Sequence, residues 1–369
     1  MRSVVTLVAG GTAGHIEPAL AVANWLRQEH PEVKCEFIGT ASGLESVLVP
    51  QAGFPLRIIK KAPMPRKLSL SALLWPIRLM QALVQTFRAL GSSSVVVGFG
   101  GYVAAPAYVA AKLLRIPILI HEQNSKPGWA NNLGSNLTSN LAVAFDGART
   151  HGAKWKVAEL VGMPLRNNIV EVASLSETER LAMRDKLCSE IGFDRSKPIV
   201  FIFGGSQGAK RINETIRDAR SELELRGIQV IHGVGKTEPL PARSETYLPL
   251  DYISNMAVFY AAADLVIARS GAVTCAEVAA VQDYALFIPL PIGNGEQSAN
   301  ALELVSGNRA EIIENSHITS EWLMGNIDRL LESGRQLATV RTPIVPLNSA
   351  KILGEWVIKL HTHSSVRSN

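Results

Sequence analysis

Cysteine is scarce in this sequence, and no motif pairs the cysteines that are present. The 369 residues include three of them, Cys35, Cys188 and Cys275, with no Cys-x-x-Cys pair. An odd number of widely separated cysteines argues against a disulfide framework and against a zinc site. The sequence therefore favours a reducing compartment.

Long apolar runs and several well-known site motifs are also missing. The best membrane-spanning candidate, 102–120, is interrupted by two prolines, a lysine and an arginine. No Gly-x-x-x-x-Gly-Lys-Ser/Thr loop, Gly-x-Ser-x-Gly elbow or Asp-x-Asp pair occurs. These absences argue against a P-loop NTPase, an α/β-hydrolase and a carboxylate cage for a metal-bound diphosphate. Because no aromatic-plus-basic RNA motif occurs either, we expect no nucleic-acid partner.

The composition is typical of an α/β enzyme with well-buried sheets. Hydrophobic residues make up 47% of the chain and charged residues 19%. The length favours two domains. The net charge of +5 and the pI of about 9.1 fit an anionic substrate, an anionic membrane surface or nucleic acid, of which nucleic acid is the weakest candidate.

Two glycine-rich turns of the same kind, 10–15 and 204–209, lie about 195 residues apart and are the features most informative about fold and function. Each follows a short apolar run and precedes an amphipathic segment, which predicts a buried strand, a tight loop and a helix. Such a unit directs backbone N–H groups and a positive helix end at an anion. The pair predicts two Rossmann-like, doubly wound α/β domains that face each other across a cleft.

Strand-like and helix-like segments alternate in both halves, as in parallel sheets with helices on both faces. We place the first domain at 1–162 and the second at 163–345, and we expect a final helix, 348–362, to pack back on the first domain. The predicted strands are 3–8, 34–38, 95–97, 116–120, 199–203, 229–232, 265–268 and 285–288.

Two side chains stand out as candidates for chemistry. His15 follows the first glycine turn near a helix start, where a neutral imidazole can accept a proton from an attacking hydroxyl; the alternative is a histidine that only hydrogen-bonds the loop. Glu277 lies about two turns into a helix that we expect Ser270 to cap, where a carboxylate can accept two ribose hydroxyls. The alternative is a plain exposed helix residue.

Two further segments have both a functional and a structural interpretation. Polar amides at 294–301 follow a predicted strand and suit recognition of sugar hydroxyls, although a solvated loop and helix cap explains them as well. Between 60 and 90, basic residues flank an apolar stretch around Trp75, which is the composition of an interfacial membrane patch. A core helix with a basic outer face is the alternative.

Taken together and in this order, the motifs resemble those of the MurG family, the UDP-N-acetylglucosamine:lipid I N-acetylglucosaminyltransferases of glycosyltransferase family 28. The segments that carry the resemblance are 10–15, 100–102, 121–124, 162–166, 204–209 and 269–277. They extend across the chain from residue 10 to about residue 301, if the amides at 294–301 are included. As a set they are highly specific, whereas the glycine turns alone are not.

The resemblance implies a GT-B fold and an inverting, metal-independent transfer from UDP-N-acetylglucosamine, with no cofactor. By similarity, Ser206 contacts the diphosphate, the backbone at Ile253 reads uracil, and Arg166 lies near the base. The other residues implied in donor binding are Thr12, Ala13, Gly14, Asn124, Ala272, Val273, Thr274, Glu277 and Gln297. The acceptor diphosphate is expected at Gly11, Gly14, Gly100, Gly101 and Tyr102.

The resemblance also implies the acceptor and the location. The acceptor is lipid I, an undecaprenyl-diphosphate-linked molecule, whose 4-hydroxyl displaces UDP to give lipid II for peptidoglycan synthesis. His15 is the first candidate for the base and Glu122 the second. We expect a peripheral protein on the cytoplasmic side of the plasma membrane, alongside other cell-wall synthesis proteins. Its membrane patch would include Lys67, Leu74, Trp75 and Arg78.

Some residues depart from the family pattern, and other functions stay open. Ala13 stands where the family usually has glycine, Glu17 replaces an apolar or aromatic residue, and 294–297 differs from the usual acidic-His-Gln. His232 lacks the glutamine that usually follows it. The alternatives are another UDP-sugar-dependent GT-B enzyme, either a lipid glycosyltransferase or an epimerase, and a non-catalytic nucleotide-sugar-binding partner of a membrane complex.

Overall fold

The structure, a computed structural model, describes residues 4–61, 75–205, 208–291, 294–341 and 344–366. The chain forms two compact units, Met1–Arg166 with Asn348–Asn369 and Asn167–Leu347. The division falls after Arg166, four residues beyond the boundary expected from the sequence.

In the first unit, the described residues form a parallel sheet of seven strands in the order β3-β2-β1-β4-β5-β6-β7. The strands are β1 (Val4–Val8), β2 (Lys34–Gly39), β3 (Leu56–Ile58), β4 (Ser93–Gly98), β5 (Ile118–Glu122), β6 (Asn140–Val143) and β7 (Glu159–Leu160). The helices are α1 (Ala13–Glu29), α2 (Glu45–Gln51), α3 (Trp75–Ala89), α4 (Ala104–Leu113), α5 (Trp129–Gly134) and α6 (Ala153–Lys156), with short 3-10 turns at Leu90–Ser92 and Asp146–Thr150.

The second unit has a six-stranded parallel sheet in its described part, in the order β10-β9-β8-β11-β12-β13. The strands are β8 (Ile199–Phe203), β9 (Gln229–Gly233), β10 (Tyr247–Leu250), β11 (Leu265–Ala268), β12 (Ala285–Phe287) and β13 (Ala310–Ile312). The helices are α7 (Asn167–Ala173), α8 (Glu177–Ile191), α9 (Lys210–Leu225), α10 (Met256–Ala262), α11 (Ala272–Val281), α12 (Glu296–Ser306) and α13 (Ser320–Ala338).

The last helix, α14 (Ser349–Val366), belongs to the first unit. Leu353 and Val357 are fully buried and join the core formed by β1, β4 and α1. Gly354 faces the indole of Trp25, where a side chain would collide with the ring. An apolar stripe of helical spacing therefore brings the end of the chain back onto the first sheet.

The strands are buried because helices cover both faces of each sheet, which explains their continuous apolar runs. On the first sheet, alternate residues of β1 separate into two cores, Val5 and Leu7 on one face and Val8 on the other. The period-2 alternation of a strand produces this separation. The predicted α/β class is confirmed, and both sheets are doubly wound.

Candidate functional site

In the first sheet, the two glycine loops meet where the strand order reverses. The order runs β3-β2-β1 in one direction and β4-β5-β6-β7 in the other, so the reversal lies between β1 and β4. Val8 pairs with Gly98, which means that the two strands end at the same level. Ligands of open α/β sheets bind at the carboxyl ends of strands at such a reversal.

The backbones of these loops approach each other closely. Gly101 has φ +79°, and a Cβ atom there would collide with the carbonyl oxygen of Gly10. Gly100 has φ +89° and faces His15, whose Nε2 would lie 3.3 Å from a Cβ atom at position 100. Both glycines occupy the left-handed region, which side chains rarely adopt. The structure thus brings the predicted base and the predicted acceptor loop together.

His15 is held by its own loop. Its Nδ1 lies 3.2 Å from the Thr12 hydroxyl, and the Gly10 carbonyl accepts a hydrogen bond from the ring. The side chain is half-buried, and burial lowers the imidazole pKa below its ordinary value of 6.5. At neutral pH the ring is therefore uncharged, as a general base must be.

The start of α1 is open to an anion. Thr12 occupies the N-cap position without a side-chain cap bond, and the first turn carries no acidic residue. The N–H groups of Ala13 and Gly14 belong to the first turn, where an α-helix supplies no partner of its own. These donors and the positive helix end suit a phosphate group.

Gly11 plays a different part from the one predicted. Its N–H donates to the carboxylate of Glu45 at 3.0 Å, so this amide is already engaged and is a poor donor for an acceptor diphosphate. No local pattern predicts this contact, because Glu45 lies 34 residues further along the chain.

Glu122, the second candidate base, is enclosed. It is 1% exposed, and its two carboxylate oxygens accept four hydrogen bonds of 2.9–3.1 Å. The donors are the Asn124 backbone N–H, the Asn124 side-chain amide, the Gly128 N–H and the Asn131 side-chain amide. Burial raises the Glu122 pKa, and these bonds oppose the rise. The arrangement favours a role in shaping the loop after β5 and disfavours proton abstraction by Glu122.

His121, beside it, is also fully buried. Its Nε2 donates to the Gly162 carbonyl at 2.9 Å, and its Nδ1 accepts from the Gln123 side chain at 3.1 Å. Burial lowers its pKa to about 4, so it is neutral in the folded protein. Residues 121–124 therefore form a hydrogen-bonded scaffold at the carboxyl end of β5.

The second sheet repeats the arrangement of the first. Its order reverses between β8 and β11, and Phe203 pairs with Ala268, so the loops 204–209 and 269–271 emerge side by side. A cavity of about 560 Å³ opens there. Among the predicted residues and segments, Gly204, Gly205, Gly208, Ala209, Arg269, Gly271, Thr274 and Gln297 line it.

Two cations that were not predicted as site residues, Lys210 and Arg211, also line this cavity. Lys210 and Arg211 form the first turn of α9, directly after the glycine loop. The Nε atom of Arg211 is buried without a partner among the described residues. Cations are unfavourable at a helix N-terminus because of the helix dipole. Two successive cations directly after a glycine-rich turn are the feature of the sequence that could have indicated a bound anion here.

The orientation of Gln297 is fixed by the strand–loop beside it. Its Oε1 accepts from the backbone N–H of Leu290 at 2.9 Å. Because the carbonyl oxygen is engaged, the amide N–H₂ group is the part of this side chain that can donate into the cavity.

Helix α11 begins differently from the prediction. Gly271, and not Ser270, is the N-cap residue, and Ser270 is fully buried. The predicted serine cap is therefore wrong, because the side chain points into the interior. The first-turn N–H groups of Ala272 and Val273 still lack helical partners by geometry.

Glu277 is buried and not an exposed helix residue. It is 3% exposed, and its Oε2 accepts from the Tyr260 hydroxyl at 3.1 Å. It does not line the 560 Å³ cavity. Ile253 packs over Gly233 at the end of β9, where a side chain would collide with it. Ser206 lies outside the described residues.

Both units match one glycosyltransferase family. Residues 5–143 match the glycosyltransferase family 28 N-terminal domain, and residues 199–347 match the glycosyltransferase family 28 C-terminal domain. The chain belongs to glycosyltransferase family 28.

Curated relatives in this family share about 40% of their residues with the chain. One from Streptomyces avermitilis is 39% identical over 340 residues, covering 90% of this chain and 91% of the relative. One from Corynebacterium glutamicum is 41% identical over 330 residues, covering 89% of each. Both are named UDP-N-acetylglucosamine--N-acetylmuramyl-(pentapeptide) pyrophosphoryl-undecaprenol N-acetylglucosamine transferase.

Solved structures agree with this assignment. The crystal structure of MurG from Acinetobacter baumannii aligns with a TM-score of 0.71 and 30% identity, covering 97% of this chain and 99% of that one. A UDP-GlcNAc 2-epimerase from Neisseria meningitidis aligns with a TM-score of 0.61 at 12% identity, covering 96% and 99%, and so shares the fold alone. The predicted GT-B class and the resemblance to the MurG family are confirmed.

Two groups of predicted residues remain, Arg166 and the predicted membrane patch. Arg166 belongs to the first unit, where its Nε lies 4.0 Å from the Glu17 carboxylate. That pairing gives the unusual Glu17 a partner. Lys67 and Leu74 lie outside the described residues, α3 begins at Trp75, and Arg78 is exposed on α3.

Proposed function

We propose that the protein transfers N-acetylglucosamine from UDP-N-acetylglucosamine to the 4-hydroxyl of the N-acetylmuramoyl unit of lipid I, which gives lipid II. The observation that carries the proposal is the similarity to relatives named for this transfer, which extends over about nine-tenths of both chains. The glycine loops at both sheet reversals support it, because each offers an anion site of the kind that a diphosphate needs.

The donor is assigned to the second unit. Its diphosphate is proposed to lie in the 560 Å³ cavity, which is lined by the cations Lys210, Arg211 and Arg269 and by one carboxylate, Glu214, that pairs with Lys210 at 3.8 Å. The Arg269 guanidinium donates to the Ile288 carbonyl at 2.8 Å, which fixes its position in the wall. Because cations outnumber carboxylates in this lining, we propose that side chains offset the charge of the leaving group and that the transfer needs no metal ion.

The family pattern assigns the rest of the donor. The backbone at Ile253 would read uracil, Glu277 and Thr274 would hold the ribose, and Gln297 and Asn124 would bind sugar hydroxyls. For Glu277, this needs a rearrangement that exposes the carboxylate, because the residue is 3% exposed and does not line the cavity. Gln297 needs no change, since its amide N–H₂ group is the part available to donate.

The acceptor and the base are assigned to the first unit. The acceptor diphosphate is proposed to bind the first-turn N–H groups at Ala13 and Gly14 and the turn at Gly100 and Gly101. The neutral His15 imidazole takes the proton as the 4-hydroxyl attacks the anomeric carbon. UDP leaves from the opposite face, so the configuration inverts. General-base assistance of this kind contributes a factor of about 10²–10⁴ in rate.

The membrane contact is assigned to α3. Ile77, Met80, Val84 and Phe87 recur at helical spacing and are 42–59% exposed. Arg78 and Arg88 lie beside this apolar stripe, and the Lys60 ammonium donates to Gln81 on the same helix. Exposed apolar and basic residues on one helix suit the surface of an anionic bilayer.

No helix in the described part of the chain is both long and apolar enough to cross a bilayer. We propose peripheral attachment at the cytoplasmic face of the membrane, where a lipid-linked acceptor is in reach.

The deciding assay combines labelled UDP-N-acetylglucosamine with a lipid I analogue, with and without EDTA. A disaccharide product in both conditions is expected. Product only when a divalent ion is present would remove the metal-free mechanism and keep the transferase. Free epimer in the absence of acceptor would indicate an epimerase, and binding without turnover would indicate a non-catalytic partner.

A further inference from the structure

A buried carboxylate lies beneath the first glycine loop. Glu45, in the first turn of α2, is fully buried. Its Oε1 accepts from the Thr40 N–H and from the Thr40 hydroxyl, each at 2.9 Å. Its Oε2 accepts from the Gly11 N–H at 3.0 Å. The side chain therefore ties the end of β2 to the loop that precedes α1.

The same contacts reach the second glycine loop. The Tyr102 hydroxyl lies 3.0 Å from Thr40 Oγ1, whose own proton goes to Glu45. Tyr102 directly follows Gly100 and Gly101, the turn that faces His15. Glu45 thus contacts the first loop directly and the second loop through the Thr40 hydroxyl, with each step at hydrogen-bond distance.

The backbone around Glu45 leaves room for this carboxylate. A Cβ atom at Gly43 would collide with the carboxyl group, and one at Gly10 would lie 3.1 Å from Oε1. A buried carboxylate is costly unless every oxygen is hydrogen-bonded, and here each oxygen has a donor. Such a specific enclosure indicates more than a loop anchor.

We propose that Glu45 is a positioning residue of the transfer site, which fixes the Gly11 amide on one side and, through Thr40, the Tyr102 hydroxyl on the other. This inference rests on the proposed function, because it has Glu45 hold in place the two loops that surround His15, the proposed base. Glu45 also acts on the ring by its charge, which favours the imidazolium and so opposes the effect of burial.

Other ionisable groups around the loop are accounted for. Tyr102 has the Lys61 ammonium 5.3 Å from its ring centre, and Glu17 is paired with Arg166. Among the described residues, Glu45 is the charged group that raises the His15 pKa, against the effect of burial. Removing that charge should therefore lower the His15 pKa further, which a purely structural anchor would not do.

The test is an NMR titration of the His15 imidazole in the free, full-length protein, which needs no substrate. Glu45→Gln is expected to lower the His15 pKa and to reduce protection of the Gly11 amide against hydrogen exchange. Glu36→Gln is the matched control. It removes another buried carboxylate of the same sheet, which binds Thr6 and Arg57, and the His15 pKa should not move.

Glu45→Asp covers the case in which Glu45→Gln does not fold. It keeps the charge but shortens the side chain, so the Gly11 amide should lose protection while the His15 pKa stays close to that of the wild type. An unchanged Gly11 amide in Glu45→Asp, or an unchanged His15 pKa in a folded Glu45→Gln, would overturn the proposal.

A transferase assay adds a second readout. Glu45→Gln is expected to lower kcat roughly 10- to 100-fold, the range for a displaced catalytic group. A loss confined to KM would contradict a positioning role at the base. If the wild type shows no transferase activity, the proposed function fails, whereas the titration still decides whether Glu45 controls His15.

Discussion

The imidazole of His15 lies so close to the backbone of Gly100 that a methyl group there would require the ring to shift by a few tenths of an ångström. A Cβ atom at position 100 would lie 3.2 Å from Cδ2 and 3.3 Å from Nε2 of the ring. The base proposed for the reaction and the turn proposed for the acceptor diphosphate are therefore in direct contact.

Gly100→Ala should impair catalysis more than folding. The φ of +89° makes a side chain cost about 1–2 kcal/mol. The methyl group would also press on the His15 imidazole and on the Asn131 side-chain amide, each about 3.3 Å from the new Cβ atom. We expect kcat/KM to fall by roughly 10- to 100-fold while the protein stays folded. Gly91→Ala is the control, because nothing lies within 4 Å of a Cβ atom there. Equal activity of the two variants would show that the His15–Gly100 contact is unimportant.

The rate of transfer should depend on the neutral form of His15. Because burial lowers its pKa, the acidic limb of kcat/KM should have its midpoint below 6.5. His15→Gln should reduce kcat about 10²–10⁴-fold and remove this limb. The measurement is a pH–rate profile at saturating donor. An unshifted limb in His15→Gln would assign the base elsewhere.

Arg211 should contribute to donor binding. Arg211 lines the cavity of the second unit in the first turn of α9, where the helix dipole disfavours a cation unless an anion lies close by. Its neighbour Lys210 is paired with Glu214 at 3.8 Å. Arg211→Gln should raise the Kd for UDP about tenfold, corresponding to about 1.4 kcal/mol, as for a hydrogen bond to a charged group. Isothermal titration calorimetry measures it.

The control for Arg211 lies at the other end of the same helix. Arg226 follows α9 and pairs with Glu222 and Asp328. Arg226→Gln should leave the Kd for UDP unchanged. If the two variants bind UDP equally well, the charge at the start of α9 does not meet the diphosphate.

Membrane binding should depend on the exposed stripe of α3. Met80→Glu with Phe87→Glu should reduce sedimentation with anionic vesicles severalfold, because charges replace side chains that are 59% and 42% exposed. Leu225→Glu is the control, since Leu225 is 87% exposed but lies on α9 in the second unit. Loss of vesicle binding in the control alone would place the contact elsewhere.

Stability should fall in mild acid because two histidines are buried in neutral form. The pKa values of His121 and His232 are lowered to about 4, below an unfolded value of 6.5. Between pH 6.5 and 4 the unfolded state binds more protons, so the free energy of unfolding decreases as the pH falls. The loss is at most about 3 kcal/mol for each histidine.

Urea unfolding at pH 7 and pH 5 measures this dependence. Asp283, with a pKa raised to about 6 by burial beside Arg180, acts in the opposite direction. The comparison of wild type with His232→Gln isolates the histidine, and the variant should lose less stability between the two pH values. The same loss in both proteins would mean that His232 is not neutral in the folded state.

Local pattern predicted most of the elements. The strands 199–203 and 265–268 have the predicted bounds, and the predicted strand 116–120 begins and ends two residues later, at Ile118–Glu122. Continuous apolar runs that end at glycine turns predict buried strands, because helices cover both faces of a parallel sheet and every side chain of the strand is then buried. The cap of α11 could not be predicted, because Ser270 and Gly271 are both acceptable N-cap residues and packing chose the glycine.

The sequence by itself determined two strand–loop–helix units that can hold an anion, since hydrophobic period and glycine content are local properties. Only the tertiary structure decided that Gly11 gives its N–H to Glu45, that Glu122 accepts four hydrogen bonds, and that Lys210 and Arg211 line the cavity of the second unit. These contacts join residues from neighbouring strands and loops. Which of these residues come into contact depends on the order of the strands in the sheet, and no local sequence pattern encodes that order.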